Sequence, residues 1–259
     1  QVIKCVVEEA AGKVLVFPGT PRAGTRETLA LSRYVQEVGA DGVQIVLPYY
    51  HIPSDEGMYQ HFKTVAEGID IGIIVYNNPA VSGCWIKPQL MARIAEIDNI
   101  IGGKENTPNI MQYYQMQKTV DPAKMAILCG LGEMMFPFEC MYGCPGFITW
   151  LANLAPGLSY ELYQAAAARD MEAVGCWAAR VGPLFDFVGK MDAAYGPHSF
   201  FVPGITGMGG YMYVAVSEAA TDLVGLCGGK MRLPLVDLAQ EHVDELRDIL
   251  KQAGIAVKS

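Results

Sequence analysis

Short, unbroken apolar runs alternate with stretches of helical period along most of the chain. The runs are Val14–Phe17, Gly42–Leu47, Ile71–Tyr76, Ile100–Lys104, Met125–Cys129 and Gly146–Thr149. They are rich in β-branched residues and lack polar–apolar alternation, the pattern of strands buried on both faces of a parallel sheet. Strands are therefore expected near residues 14–18, 42–48, 71–76, 99–104, 125–130 and 145–149. Between them, Leu29, Leu31, Val35 and Val38 mark a helix capped by Thr25 and ended by Gly39. Met58, Phe62, Val65 and Ala66 mark a second, capped by Ser54 and ended by Gly68. Leu90, Met91 and Ile94 mark a third that opens on Pro88, where the missing N–H costs nothing. After a helix near 158–168 the period is helical throughout, over 171–188, 211–226 and 241–253. The reading is an α/β domain over 1–168, and a C-terminal helical extension over 169–259 packed on it without a linker. A barrel and a doubly wound sheet both satisfy this pattern.

Composition narrows the partners. With 259 residues, 51% of them hydrophobic, the chain can bury a core without disulfide staples and cannot be disordered. Nineteen basic against 27 acidic residues exclude a nucleic-acid groove or an anionic membrane surface. Cysteines 5, 84, 129, 140, 144, 176 and 227 form no CxxC, and Cys140 and Cys144 have no histidine nearby to complete a zinc site. They are expected as buried or half-buried free thiols, which places the protein in the cytoplasm. The most apolar late stretch, 205–229, carries Glu218 and Asp222 and reads as a packed helix rather than a membrane span. Histidines 51, 61, 198 and 242 show no metal-ligand spacing. Gly207–Gly210 reads as a helix lead-in and Gly228-Gly229 as a helix stop, not as phosphate loops.

In parallel α/β folds, functional side chains collect where strands end. Lys104 closes an apolar strand, so its ammonium sits at the rim of the core, where desolvation lowers its pKa. Such an amine can condense with a ketone to a Schiff base, an electron sink for carbon–carbon cleavage or formation. Position alone leaves a second reading, a lysine paired with a carboxylate. Tyr76 ends the preceding strand, close enough to share a pocket and shuttle protons, or else to serve only as a hydrogen-bonded rim tyrosine. Glu133 either meets substrate hydroxyls or stands at a helix N-terminus. Trp150 either walls the pocket with apolar surface or packs under the C-terminal helices.

Gly19-Thr-Pro-Arg-Ala-Gly-Thr-Arg-Glu27, Gly39-Ala-Asp-Gly42, Pro48-Tyr-Tyr50, Tyr59-Gln-His-Phe62, Tyr76-Asn-Asn-Pro79 and Lys104-Glu105 occur in order. Together they resemble the dihydrodipicolinate synthase / N-acetylneuraminate lyase family of class I aldolases, over nearly the whole chain. The resemblance implies a (β/α)8 TIM barrel, lacking its first strands in this chain, with three added C-terminal helices and a dimer-of-dimers assembly. It implies Lys104 as the Schiff-base nucleophile, Tyr76 as the proton shuttle, and Tyr50 as a tyrosine reaching into the neighbouring subunit's relay. Gly130 and Ile148 match positions whose main chain lines the pyruvyl pocket; Glu133 and Trp150 complete the expected substrate-binding set.

Three departures qualify what the resemblance implies. The family's Gly-Thr-Thr-Gly-Glu-like carboxylate loop does not occur here. Ala80-Val81-Ser82-Gly83 offers no arginine for a distal carboxylate. Gly132 and Trp150 stand where sugar-acid lyases carry polar residues. The expected activity is a lyase or aldolase acting on pyruvate or a 2-keto-3-deoxy (2-oxo) acid, without metal or organic cofactor. A dehydratase or deaminase of a related 2-oxo acid, and a non-catalytic relative, are the alternatives.

Overall fold

A computed structural model describes residues 1–195 and 212–258. His198, Gly207–Gly210 and the start of the 205–229 stretch lie outside the described residues. The chain forms two compact units: Gln1–Leu131 with Phe138–Ile148, and Gly132–Pro137 with Thr149–Ser259.

In the first unit, helix α1 (Val2–Ala10) and α2 (Thr25–Glu37) precede β1 (Gly42–Val46), and α3 (Asp55–Ala66) leads to β2 (Gly72–Asn77). The short α4 (Pro79–Ser82) and α5 (Pro88–Ile94) lead to β3 (Ile100–Glu105), then α6 (Ile110–Thr119) to β4 (Ala126–Cys129). The four strands are parallel in the order β1-β2-β3-β4. Isolated bridges Gly19↔Gln44 and Cys129↔Phe147 continue the parallel order at both ends, so six strand positions follow one another as the apolar runs predict. Val43, Ile45, Ile73, Val75 and Ile100 are at most 1% exposed, which is why their runs lack alternation.

The first run departs from expectation. Val14 and Leu15 are 66% and 72% exposed, and pairing runs only from the Val16 carbonyl to the Thr20 amide. Thr25 does not cap α2: Gly24 takes the cap position in extended backbone, and the Thr25 hydroxyl pairs instead with His61 Nδ1 at 2.9 Å. Ser54 does cap α3, accepting from the Gly57 amide, and Pro88 does open α5. All seven cysteines are free, but Cys5, Cys176 and Cys227 are exposed rather than buried or half-buried.

Helix α7 (Phe136–Cys140) spans the division between the units. The second unit holds α8 (Pro156–Ala167), α9 (Met171–Tyr195, with Pro183 inside it), α10 (Met212–Leu223) and α11 (Gln240–Gln252). Helices α9, α10 and α11 pack on one another pairwise as a three-helix group, and α9 starts where the periodicity predicts but runs seven residues further, to Tyr195. Among the described residues no helix is long and apolar enough to cross a membrane.

Candidate active site

A bulge sets the site. β2 and β3 begin with Ile73 opposite Ile100, but Ile74 pairs with Gly102, so Ile101 is the extra residue. From there the register places Tyr76 opposite Lys104. Without that extra residue Tyr76 would meet Gly103, and Lys104 would pair with Asn77 and point to the opposite face, since side chains alternate along a strand. With it, the Lys104 ammonium lies 4.0 Å from the centroid of the Tyr76 ring, over its face. Burial lowers the Lys104 pKa to about 8, although the neighbouring Cys129 opposes part of the shift. The ring's negative face favours a cation at that spot by about 0.5–2 kcal/mol, so it suits an ammonium or a protonated imine equally. The phenol oxygen accepts a hydrogen bond from Asn78 Nδ2 at 2.8 Å.

One rung beyond Tyr76 and Lys104, the chain continues extended through Asn78 and Asn106. The Asn106 amide donates to the Asn77 carbonyl, and the Gly130 amide to the Glu105 carbonyl, each at 2.8 Å. Asn106 Oδ1 lies 1.7 Å from where a Cβ on Gly130 would stand. Only glycine fits at 130, because the Asn106 amide occupies the space of its side chain. Ile148, half-buried, donates its amide to the Cys129 carbonyl at 2.9 Å, so the main chain at 130 and 148 borders the same strand end.

The face behind Lys104 carries a polar layer. Glu105, Asn77 and Cys129 share one register level and are all buried. Glu105 accepts from Asn77 Nδ2 at 2.8 Å, from the Thr107 amide at 2.8 Å and from the Thr107 hydroxyl. Burial pushes its carboxyl up to about 7, those bonds notwithstanding. Glu139 is fully buried with neither oxygen paired to a nitrogen or hydroxyl donor. Burial raises it to about 8, with the Cys129 thiol restraining the shift and Glu105 adding to it. It is a neutral acid at pH 7.

Tyr50, Glu133 and Trp150 complete the expected set. Tyr50 is 80% exposed, its ring edge-on to His51 at 4.8 Å. Glu133 and Trp150 belong to the second unit. There Glu133 is buried, accepting from the Thr149 hydroxyl and from Ser159 Oγ at 2.6 Å, and burial raises its pKa. The Trp150 ring packs on Phe185 of α9 at 5.9 Å. Asn78, Asn106, Glu105 and Glu139 were given no role by sequence reasoning, although Asn78 and Glu105 lie in the motifs that carry the resemblance. The first two were within its reach, since residues two beyond a functional strand residue share its face.

A family model described as the dihydrodipicolinate synthetase family matches residues 1–195. A 4-hydroxy-tetrahydrodipicolinate synthase of Archaeoglobus fulgidus is 35% identical over 96% of this chain and 78% of its own. The crystal structure of dihydrodipicolinate synthase from Aquifex aeolicus superposes with a TM-score of 0.84 at 30% identity, covering 100% of this chain and 81% of that one. A dihydrodipicolinate synthase from Acinetobacter baumannii complexed with pyruvate gives 0.82 at 29% identity, over 99% and 80%. The parallel strands, flanking helices and C-terminal helices are thus those of an α/β TIM barrel. On sequence and fold alike, the chain belongs to the dihydrodipicolinate synthetase family of lyase-type aldolases.

Proposed function

We propose that the chain is a Schiff-base lyase of 2-oxo acids, with Lys104 as nucleophile and Tyr76 as proton shuttle. The observation that carries this reading is the lysine nitrogen held 4.0 Å over the tyrosine ring in a setting that lowers its pKa. The neutral amine adds to the keto carbon, and Tyr76 gives its proton to the departing hydroxyl, which leaves as water. The resulting iminium lies on the ring face. Tyr76, now a phenolate stabilised by the Asn78 amide, takes the proton of the substrate hydroxyl as the adjacent carbon–carbon bond breaks, and the electron pair moves to the nitrogen. The phenol then protonates the enamine carbon. Hydrolysis of the iminium returns the amine and a 2-oxo acid, and one proton of the water goes back to Tyr76. The main chain at Gly130 and Ile148 borders the pyruvyl group, and Glu133 and Trp150 serve the substrate's far end.

A homo-oligomer, assembled as a dimer of dimers, fits two separate exposed apolar patches of the first unit. Tyr49, Tyr50 and Ile52 form one, which would carry Tyr50 into a neighbour's site. Met111, Met141 and Tyr142 form the other, with the Tyr114 ring against Tyr142. Seven free cysteines support a reducing compartment, the cytoplasm.

Turnover of a 2-oxo acid by Lys104→Ala and Tyr76→Phe tests the assignment. Lys104→Ala should abolish cleavage and borohydride trapping. Tyr76→Phe should still trap while turning over about 10²–10⁴-fold more slowly. Equal turnover by Lys104→Ala would overturn the mechanism.

A further inference from the structure

We infer that Asn77 and Glu105 are positioning residues, whose side chains tie β2 to β3 on the reverse face and lock in the register that holds Lys104 over the Tyr76 ring. The inference rests on the Schiff-base reading and adds what keeps its two reacting groups together. Each residue directly follows a reacting one, and the two stand opposite each other in the register. Side chains alternate along a strand, so the tie lies behind the reacting pair. The strand itself does not choose this register. After the extra residue Ile101 come Gly102 and Gly103, which carry no side chain to tell one face from the other. Glycine-rich strands are weakly specified in register. Lys104 and Glu105 are thus the first side chains of β3 beyond the bulge that a slip by one would turn to the wrong face. In the register without the bulge Asn77 would meet Lys104, and Glu105 would meet Asn78. The bond between Asn77 and Glu105 exists only in the pairing observed.

Its donors and acceptors leave no freedom. The Ile86 amide donates to Asn77 Oδ1 at 2.9 Å, where only an oxygen can accept. That turns Asn77 Nδ2 toward the Ile86 carbonyl and Glu105 Oε2, at 3.0 and 2.8 Å. Glu105 Oε1 accepts from the Thr107 amide at 2.8 Å and from the Thr107 hydroxyl. Asn77, Glu105 and Thr107 are all buried, so water does not replace a lost partner. The set needs an acceptor on each oxygen of residue 105, which a carboxylate has and a glutamine amide lacks. Glu105→Gln keeps the size of the side chain but sets an NH2 group against either Asn77 Nδ2 or the Thr107 amide.

The test reads the two reacting groups separately, in the full chain with pyruvate as the probe. Borohydride trapping of isotope-labelled pyruvate reports the Lys104 amine. Exchange of the pyruvate methyl protons for deuterium, followed by NMR in heavy water, reports Tyr76. In that exchange the iminium loses a methyl proton to the phenolate, and the enamine carbon takes a deuteron from the phenol once it has equilibrated with solvent. Tyr76→Phe should slow exchange by about 10²–10⁴-fold. Glu105→Gln should still trap pyruvate on Lys104 but exchange about tenfold or more slowly, since a small misplacement of reacting groups is enough for that loss. In the Glu105→Gln background Tyr76→Phe should cost less than about a tenth of its wild-type factor, because the phenol is already out of place. A merely destabilising change leaves that factor as it was, and Met116→Ala, on the buried face of α6, serves as the control. Thr107→Val, which removes only the hydroxyl donor, should show the same pattern with a loss of about threefold or more. It decides alone if thermal midpoints show that Glu105→Gln does not fold. Exchange at the wild-type rate in the folded variants, or a Tyr76→Phe factor they leave unchanged, would overturn the lock. Absence of labelled adduct in the wild type would instead overturn the Schiff-base reading beneath it.

Discussion

Lys104 should titrate far below an ordinary lysine, and the structure sets by how much. Burial lowers its pKa from 10.5 to about 8. At pH 7 about a tenth of the amine is then neutral, against about 1 part in 3000 for an exposed lysine, a gain of about 300-fold in nucleophile. The Tyr76 ring works the other way. A cation held 4.0 Å over it gains about 0.5–2 kcal/mol, worth about 0.4–1.5 pKa units, so a depression of about one unit or more survives. Competitive acylation with a trace amine reagent between pH 6 and 11, read peptide by peptide in a mass spectrometer, measures the midpoint at each lysine. Lys104 should show a midpoint between about 8 and 9.5, below the 10.4 of a lysine in a model peptide. A Lys104 midpoint at or above 10.4 would refute the argument from burial.

Other buried groups give distinct signatures. His61 is 3% exposed, and burial lowers its pKa to about 4, so the folded protein holds it neutral. Unfolding lets it protonate below its ordinary value of 6.5, so stability falls by about 3 kcal/mol as pH drops from 6.5 to 4, and urea midpoints for wild type and His61→Asn should converge at acid pH. Glu139 has the opposite sign: folded near pKa 8 and unfolded at 4.5, it costs stability as pH rises through that window. Glu139→Met should therefore raise the melting temperature at pH 8 by more than at pH 5, on the order of 4 kcal/mol of relief at most; equal shifts at both pH values would contradict the buried-acid assignment. Gly130→Ala, whose Cβ would stand 2.9 Å from the Glu105 carbonyl and closer still to Asn106, should lower stability by about 1–3 kcal/mol in denaturant titrations.

Much of this was legible before the structure, for physical reasons that also explain the gaps. Strands buried on both faces announce themselves as unbroken apolar runs, and six such runs mark the six strand positions. Pairing of Lys104 with Tyr76 was also within reach, since strand ends of neighbouring βα units converge, although the extra residue at Ile101 that puts them on one face leaves no mark in the pattern. Caps were half legible. Ser54 needs only the amide of Gly57, a local partner, whereas the Thr25 hydroxyl is claimed by His61, thirty-six residues away. Glu139 was invisible because a carboxylate on a short helix ordinarily faces water, and only the tertiary fold buries it.

The central claim is that one particular amine becomes bonded to the substrate. Incubation of the full chain with pyruvate, reduction with borohydride, proteolysis and mass spectrometry locate that bond directly. A stoichiometric reduced-pyruvate adduct on the peptide containing Lys104, lost in Lys104→Ala, is the result expected. An adduct on any other lysine, or trapping that persists unchanged in Lys104→Ala, would contradict it.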